Sequence, residues 1–316
     1  MKNSNLEKAG IYLTPLALGC EPLGATDCGH VNMSELHAAV NMAWEMGIRV
    51  FDTADVYGLG RSERQLSKAL GGKRHEAVIV SKFGCRWDTK MDKKRVKVHK
   101  DASPEYVRLA LESSLKRLDI EAIPIYLVHW PDINTPLEDT LEALEVFKKE
   151  GKILAYGLSN FSWSQCEKVL SQYSIAAIEG QYSLISQECS KTEYANARNA
   201  GVETLTYGPL AQGLLSGKYT ENSTFGTDDR RHRLPQFSMD AWPRNKKLLK
   251  VLFQASEAHG KTPSQVALRW IIEQNIVSSL IIGAKNSAQV EANIGALGWQ
   301  LDPLWSKKLS DMANSF

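Results

Sequence analysis

The sequence lacks a hydrophobic run of membrane-spanning length, since no stretch approaches the roughly 18 apolar residues that a transmembrane helix needs. It also lacks a strong charge imbalance, because its formal net charge is +2, and this does not predict binding to nucleic acid or to a membrane surface. The stretch ending at Cys20 loosely resembles a lipoprotein cleavage box, but its apolar part is short and contains Pro15. We therefore expect no secretory signal and a cytoplasmic protein.

Cysteine is scarce and has no metal-binding spacing. The chain has five cysteines, an odd number, and no two are spaced as CxxC. This pattern predicts free thiols in a reducing compartment, with neither disulfides nor a metal site.

Short apolar runs alternate with amphipathic stretches along all 316 residues. The runs predict strands at 11–18, 48–52, 77–81, 123–128, 153–158, 175–179, 202–206 and 277–282. Helices are predicted at 34–46, 61–70, 103–118, 137–150, 162–172, 189–199, 244–273 with a break at Pro263, 286–296, and from Pro303 onward. Eight strand–helix units predict an α/β fold, a single (β/α)8 TIM barrel over residues 1–316.

A doubly wound sheet is the alternative fold. It would place a glycine-rich phosphate loop after its first strand. The segment from Gly19 to Gly24 has no GxGxxG pattern and contains Pro22, which favours the barrel. Two long connections, 83–102 and roughly 208–243, follow strands, so we expect them on the C-terminal face, where such loops usually build the site.

Four residues at or just after predicted strand ends have a joint chemistry: Asp52, Tyr57, Lys82 and His129. Free tyrosine is a poor acid at neutral pH, but a nearby lysine ammonium lowers its pKa, and an aspartate keeps that lysine charged and oriented. Tyr57 could then donate a proton to a carbonyl oxygen while a neutral His129 orients and polarises that oxygen. The ends of barrel strands converge on one face, so we expect these four side chains to form one site.

Several further motifs occur in order along the chain. They are Asp52-Thr53-Ala54 with Tyr57-Gly58 and Ser62-Glu63, then Ser81-Lys82, Leu127-Val128-His129-Trp130-Pro131, Gly157-Leu158-Ser159-Asn160-Phe161, Gln181-Tyr182, Tyr207-Gly208-Pro209-Leu210 and Gly213-Leu214-Leu215-Ser216-Gly217-Lys218. Together they make nearly the whole chain resemble the aldo-keto reductases, a family of (β/α)8 barrels that bind NADP(H) without a Rossmann motif.

The resemblance implies roles for individual residues. Tyr57 would be the general acid, Lys82 and Asp52 would tune its pKa, and His129 would orient the carbonyl. Ser159, Asn160 and Gln181 would bind the nicotinamide carboxamide, and Tyr207 would stack on the nicotinamide ring. The pyrophosphate and adenosine phosphate would be held by Gly208, Pro209, Leu210, Gln212, Gly213, Leu214, Ser216 and Lys218, and by Gly283, Lys285, Gln289 and Asn293.

The cofactor segment departs from the family pattern at two positions. Many members carry an arginine where Gln289 stands and an acidic residue where Ala292 stands. An arginine would hold a phosphate through two hydrogen bonds, which a lysine cannot reproduce. Because Lys285 remains as a cation for the 2′-phosphate, we expect NADPH as the cofactor, with NADH as a possible second one.

The sequence predicts a small-molecule carbonyl compound as substrate but identifies neither the compound nor the oligomeric state. Trp130 and Trp87 are predicted to line the substrate site. The basic stretch 90–100 is interpreted first as a solvated loop, and its alternative role is to attract an anionic substrate. The segment 227–233 is predicted to close over the dinucleotide, with a flexible insertion as the alternative interpretation. Two alternatives stay open at this point: a cofactor-sensing barrel like the potassium-channel β subunits, and a pathway-specific sugar ketoreductase.

Overall fold

The structure, a computed structural model, describes residues 4–87, 96–187 and 191–316. Eight parallel strands close into a barrel in the order β1-β10-β9-β8-β7-β6-β3-β2. These strands are β1 (Leu16–Gly19), β2 (Val50–Asp52), β3 (Val78–Phe83), β6 (Ile123–Val128), β7 (Ile153–Ser159), β8 (Ala177–Gln181), β9 (Glu203–Tyr207) and β10 (Ser279–Gly283). The predicted TIM barrel is therefore confirmed.

The helices of the described residues lie between and beyond these strands. They are α1 (Asn5–Lys8), α2 (Met33–Glu45), α3 (Arg61–Leu70), α4 (Pro104–Leu118), α5 (Leu137–Lys149), α6 (Trp163–Val169), α7 (Lys191–Asn199), α8 (Trp242–His259), α9 (Pro263–Glu273), α10 (Ser287–Ile294) and α11 (Pro303–Ala313). The predicted break in the long helix falls just before Pro263: Gly260 ends α8 in the left-handed conformation, and Thr262 caps α9.

The N-terminal end differs from the prediction of a strand over 11–18. That strand begins only at Leu16, because the segment before it closes the bottom of the barrel instead. Leu6 and Ile11 are buried in the cluster that fills the barrel, which includes Ala17 and Val50. The short helix α1, which was not predicted, supplies Leu6 to this cluster, and its Asn5 donates a hydrogen bond to the carbonyl of Ile175 at 2.9 Å.

A two-stranded antiparallel hairpin was also not predicted. It consists of β4 (Cys85–Trp87) and β5 (Val98–Lys100), which pair within the long connection after β3. The hairpin follows the C-terminal end of a barrel strand, so it stands at the face where the strand ends converge.

Within the described ranges, no helix is long and apolar enough to cross a membrane. The same ranges contain no group of three or more His, Cys, Asp or Glu side chains that could hold a metal ion.

Candidate active site

The structure brings together the four residues predicted to do acid–base chemistry. Asp52 ends β2, Lys82 lies in β3, and His129 directly follows β6. The Lys82 side chain is fully buried, and its ammonium donates to a carboxylate oxygen of Asp52 and, at 3.2 Å, to the carbonyl of Thr53. Two strands therefore hold one buried ion pair at the C-terminal end of the barrel.

Tyr57 lies in the turn after β2, beside this ion pair. Its ring centroid is 5.6 Å from Lys82 Nζ and 5.8 Å from the centroid of the His129 ring, which it meets edge to face. The turn needs glycine at Gly58, because a Cβ there would lie 2.3 Å from the carbonyl oxygen of Gly24. This close approach fixes the backbone directly after Tyr57 against the segment that follows β1.

A buried network explains the other residues of the first motif. The Glu63 carboxylate accepts from Ser81 Oγ at 2.6 Å and from Arg117 Nε at 2.5 Å. Ser62 Oγ donates to the carbonyl of Cys20 at 2.7 Å. These bonds tie the start of α3 to β3 and to the end of β1, so Ser62 and Glu63 support the turn that carries Tyr57.

The pKa of His129 determines the protonation state of its ring. Burial lowers the pKa of His129 well below its usual value, and the positive charges of Lys82 and Lys100 lower it further, so the ring is neutral at neutral pH. This agrees with the expected neutral orienting histidine. Among the described residues, His129 Nδ1 has no hydrogen-bond partner.

The pKa of Tyr57 differs from the simple expectation that Lys82 lowers it. Desolvation of the phenol raises the pKa well above its usual value, and Lys82 only partly offsets this effect. Asp52 and two further carboxylates, Glu21 and Glu179, raise it as well. The phenol therefore stays protonated at neutral pH, as a proton donor must before it reacts.

Glu179 was missed by the sequence reasoning. It lies in β8 with its side chain only 3% exposed, and its Oε1 is 3.4 Å from Lys82 Nζ. The same oxygen accepts a hydrogen bond from Ser159 Oγ at 3.1 Å. A glutamate within a buried apolar run is costly unless it is paired, and this was the signal that could have identified it.

The residues predicted to hold the nicotinamide lie on neighbouring strands. Tyr207 donates to Asn160 Oδ1 at 2.8 Å, while Asn160 Nδ2 donates to the His129 carbonyl at 2.8 Å and to Ser159 Oγ at 3.1 Å. Gln181 ends β8 opposite Tyr207 in the β8–β9 ladder. One polar wall thus runs from His129 to β9.

The segment after β9, which was predicted to hold the pyrophosphate, contains several residues in the left-handed backbone conformation. Ala211, Gln212, Gly213 and Gly217 all have positive φ, between 48° and 91°. The backbone N–H groups of Ala211, Gly213 and Gly217 donate to the carbonyls of Gly208, Leu210 and Leu214 at 2.9, 2.9 and 3.1 Å, and these bonds fix the turns of the segment. Gly208, Pro209, Leu210, Leu214, Ser216 and Lys218 belong to the same segment or directly adjoin it.

The segment after β10 contributes a cation at the start of a helix. Lys285 precedes α10, and its Nζ donates to the carbonyl of Cys28 at 2.5 Å. Gln289 accepts from the Lys285 backbone N–H at 2.8 Å, and Asn293 donates to the Gly283 carbonyl at 3.3 Å. These two residues orient the segment around Lys285.

The segment predicted to close over the dinucleotide contacts the loop after β1. Asp229 forms an isolated bridge with Cys28, the residue that holds Lys285. Arg230 donates through its backbone to the Asp27 carbonyl at 3.1 Å, and Arg233 Nη1 donates to the Asp27 carboxylate at 2.8 Å. The loops after β1 and β9 are therefore tied together beside Lys285.

Trp130, which was predicted to line the substrate site, lies beside His129. It is 39% exposed, and its ring is stacked 6.4 Å from that of His129, measured between centroids. Lys100, at the end of β5, places its Nζ 4.6 Å from the centroid of the Trp130 ring. Trp87 lies half-buried on the paired strand β4. Residues 90–95, which make up most of the basic stretch 90–100, lie outside the described residues.

Comparisons with known proteins agree with this geometry. The family model described as the aldo/keto reductase family matches residues 15–311. The aldo-keto reductase YhdN of Bacillus subtilis is 33% identical over 308 residues, covering 96% of this chain and 90% of its own. An aldo-keto reductase of Schizosaccharomyces pombe, yakc, named for NADP(+), is 28% identical over 305 residues and covers 95% of this chain and 88% of its own.

Solved structures give the same result. The glycerol dehydrogenase AKR11B4 from Gluconobacter oxydans has a TM-score of 0.87 and 31% identity, and the match covers 96% of this chain and 92% of that one. The holo form of the aldo-keto reductase AKR11C1 from Bacillus halodurans has a TM-score of 0.77 and 25% identity, with 95% and 92% of the two chains covered.

Proposed function

Because the chain belongs to the aldo/keto reductase family, we propose that it reduces an aldehyde or a ketone to the alcohol with NADPH and that Tyr57 donates the proton. The observation that carries this proposal is the buried Lys82–Asp52 pair beside Tyr57 and a neutral His129. A proton donor, its charged partner and a hydrogen-bonding imidazole thus lie at one end of the barrel.

The residues around the barrel mouth fit a dinucleotide. The segment after β9, with Ser216 and Lys218, would hold the pyrophosphate, and Lys285 would hold the adenosine 2′-phosphate. Ser159, Asn160 and Gln181 would bind the nicotinamide carboxamide, and Tyr207 would pack on its ring. When bound there, the nicotinamide supplies the hydride that reaches the carbonyl carbon.

The protein side of the reaction follows from charge. The substrate oxygen gains negative charge as the carbon is reduced, and His129 would stabilise that charge by donating a hydrogen bond. Tyr57 would give its proton to the same oxygen. The resulting phenolate would be stabilised by the ammonium of Lys82, which Asp52 keeps in place.

The same residues would serve the reverse reaction, in which the Tyr57 phenolate accepts a proton from an alcohol. The similarity to a glycerol dehydrogenase supports testing this direction too.

We further propose that residues 1–316 form a single domain and that the protein works in the cytoplasm on small-molecule carbonyl compounds. The relatives and structures described above do not favour a cofactor-sensing channel subunit or a pathway-specific sugar ketoreductase.

The test is NADPH consumption across a panel of aldehydes, ketones, sugars and phosphosugars, with NADP+ reduction by glycerol measured in parallel. We expect turnover on at least one carbonyl class, with a higher kcat/KM for NADPH than for NADH. Purified protein that binds NADPH but turns over none of these compounds in either direction would overturn the proposed function.

A further inference from the structure

We propose that Glu179 is a positioning residue of the acid–base group: it holds Lys82 from the wall opposite Asp52 and adds a second negative charge beside Tyr57. This inference rests on the proposed function and assigns a role to a residue that the sequence motifs did not indicate.

The placement of Glu179 follows from the alternation of side chains along β8. Ala177, two residues before it, belongs to the cluster that fills the barrel, so Glu179 also points inward. In the closed order of eight strands, β8 lies four positions from β2 in either direction. Asp52 and Glu179 therefore approach Lys82 from opposite walls, and the fully buried ammonium lies between them.

Glu179 also joins the acid–base group to the predicted nicotinamide wall. Its Oε1 contacts Lys82 Nζ at 3.4 Å and accepts from Ser159 Oγ at 3.1 Å, while its backbone carbonyl accepts from the Asn160 N–H at 2.8 Å. A shift of Glu179 would therefore move the lysine and the two predicted carboxamide-binding residues together.

The charge of Glu179 is poorly compensated. One ammonium serves two carboxylates, and Glu179 Oε2 is buried with no hydrogen-bond partner among the described residues. A glutamine could accept from Ser159 equally well without burying a charge. The electrostatic effect of the carboxylate is thus the property that a neutral replacement would remove.

The groups that face Tyr57 set the direction of that effect. They are Lys82, Asp52, Glu21, Glu179 and His129, with Arg230 paired to Glu21. The negative charge of Glu179 raises the pKa of Tyr57. The pKa of Asp52 is raised mainly by burial, and the charge of Glu179 raises it further. Removing its charge should therefore make Tyr57 more acidic.

The test compares Glu179→Gln with the parent and with Glu203→Gln, a matched control on the neighbouring strand β9. In alcohol oxidation Tyr57 acts as the base, so the rising limb of kcat/KM reports its pKa. We expect this limb to move down by about one pH unit in Glu179→Gln, the size of a neighbouring-charge effect, and to stay in place in the control. A limb that coincides with the parent's would overturn the proposal.

A second readout needs no turnover. The phenolate absorbance titration of each variant, minus that of the same variant carrying Tyr57→Phe, gives the pKa of Tyr57 directly. Glu179→Asp keeps the charge, so its Tyr57 titration should stay close to the parent's, even if kcat falls. If the Tyr57 pKa in Glu179→Asp shifts as far as expected for Glu179→Gln, packing rather than charge is responsible. That result would overturn the proposal, and it can be obtained even if Glu179→Gln does not fold.

The two failures can be told apart. If the parent turns over none of the carbonyl compounds or alcohols, the proposed function is contradicted. The absorbance titration then still tests the role of Glu179. An active parent whose Glu179→Gln variant shows no shift in either readout contradicts only the role of Glu179.

Discussion

Replacing Lys82 by methionine should destabilise the protein strongly, because it removes the only cation from between Asp52 and Glu179 in the described structure. Methionine has a similar length and no charge, so packing changes little. Coulomb's law with an effective dielectric constant of about 20 gives ~5 kcal/mol for unit charges at the 3.4 Å that separates Lys82 from Glu179. Desolvation of the lysine offsets part of this, and breaking such a buried pair typically costs about 3–5 kcal/mol in the free energy of unfolding.

The loss should depend on pH. In the parent, the pKa of Lys82 is raised, since the two carboxylates outweigh burial; its stabilising contribution is therefore fully present below its unfolded-state pKa of about 10.5 and is constant near neutrality. The pKa of Asp52 is raised by burial, and it would rise further without Lys82. A raised carboxyl pKa means that the native state binds more protons, so stability falls as pH rises through that pKa.

The assay is urea unfolding followed by circular dichroism at about pH 5 and about pH 8, where we expect the larger loss at the higher pH. The control is Lys307→Met, whose ion pair with Asp311 has side chains 75% and 61% exposed. An exposed pair of this kind contributes at most about 1 kcal/mol. Equal stability of Lys82→Met and the parent, or an equal loss at both pH values, would refute the reasoning.

Three further predictions concern the cofactor, the substrate and pH. In fluorescence titrations, Lys285→Met should raise the Kd for NADPH about 10- to 100-fold, which corresponds to the loss of one charge-assisted hydrogen bond. The Kd for NADH should stay nearly unchanged. An equal change in both Kd values would contradict the proposed contact with the 2′-phosphate. Lys100→Met should raise KM for an aldehyde bearing a carboxylate more than for its neutral ester, because Lys100 lies over Trp130 beside the site; an equal effect on both substrates would rule this out. Since the pKa of His129 is well below its usual value, the pH profile of reductase activity should show no loss of activity on acidification near pH 6.5. A loss of activity near pH 6.5 that disappears in His129→Asn would contradict the conclusion that His129 is neutral.

The fold and much of the site could be predicted because their signals are local. Most strands are short apolar runs, and Asp52, Lys82 and His129 stand at the ends of the runs that position them. The helix ends also have local signals: Gly47 and Gly201, which follow the predicted helices 34–46 and 189–199, have φ of 89° and 79°, a conformation that glycine adopts without strain.

Other features depend on distant contacts and could not be read from the sequence. The segment before Leu16 was predicted as strand because it is apolar, yet it packs at the bottom of the barrel, where Ile11 is 4% exposed. Proximity of Lys82 suggested a lowered pKa for Tyr57, but the opposing burial and carboxylates come from several separate segments. Glu179 meets Lys82 only when the barrel closes.

The most direct test of the central claim, that Tyr57 is the proton donor in carbonyl reduction, is Tyr57→Phe. The substitution removes one hydroxyl group and keeps the ring that packs against His129. We expect kcat for reduction of the best carbonyl substrate to fall by about 10²- to 10⁴-fold, the usual contribution of a general acid, while the Kd for NADPH stays near the parent value. Full reductase activity in a folded Tyr57→Phe variant would contradict the account.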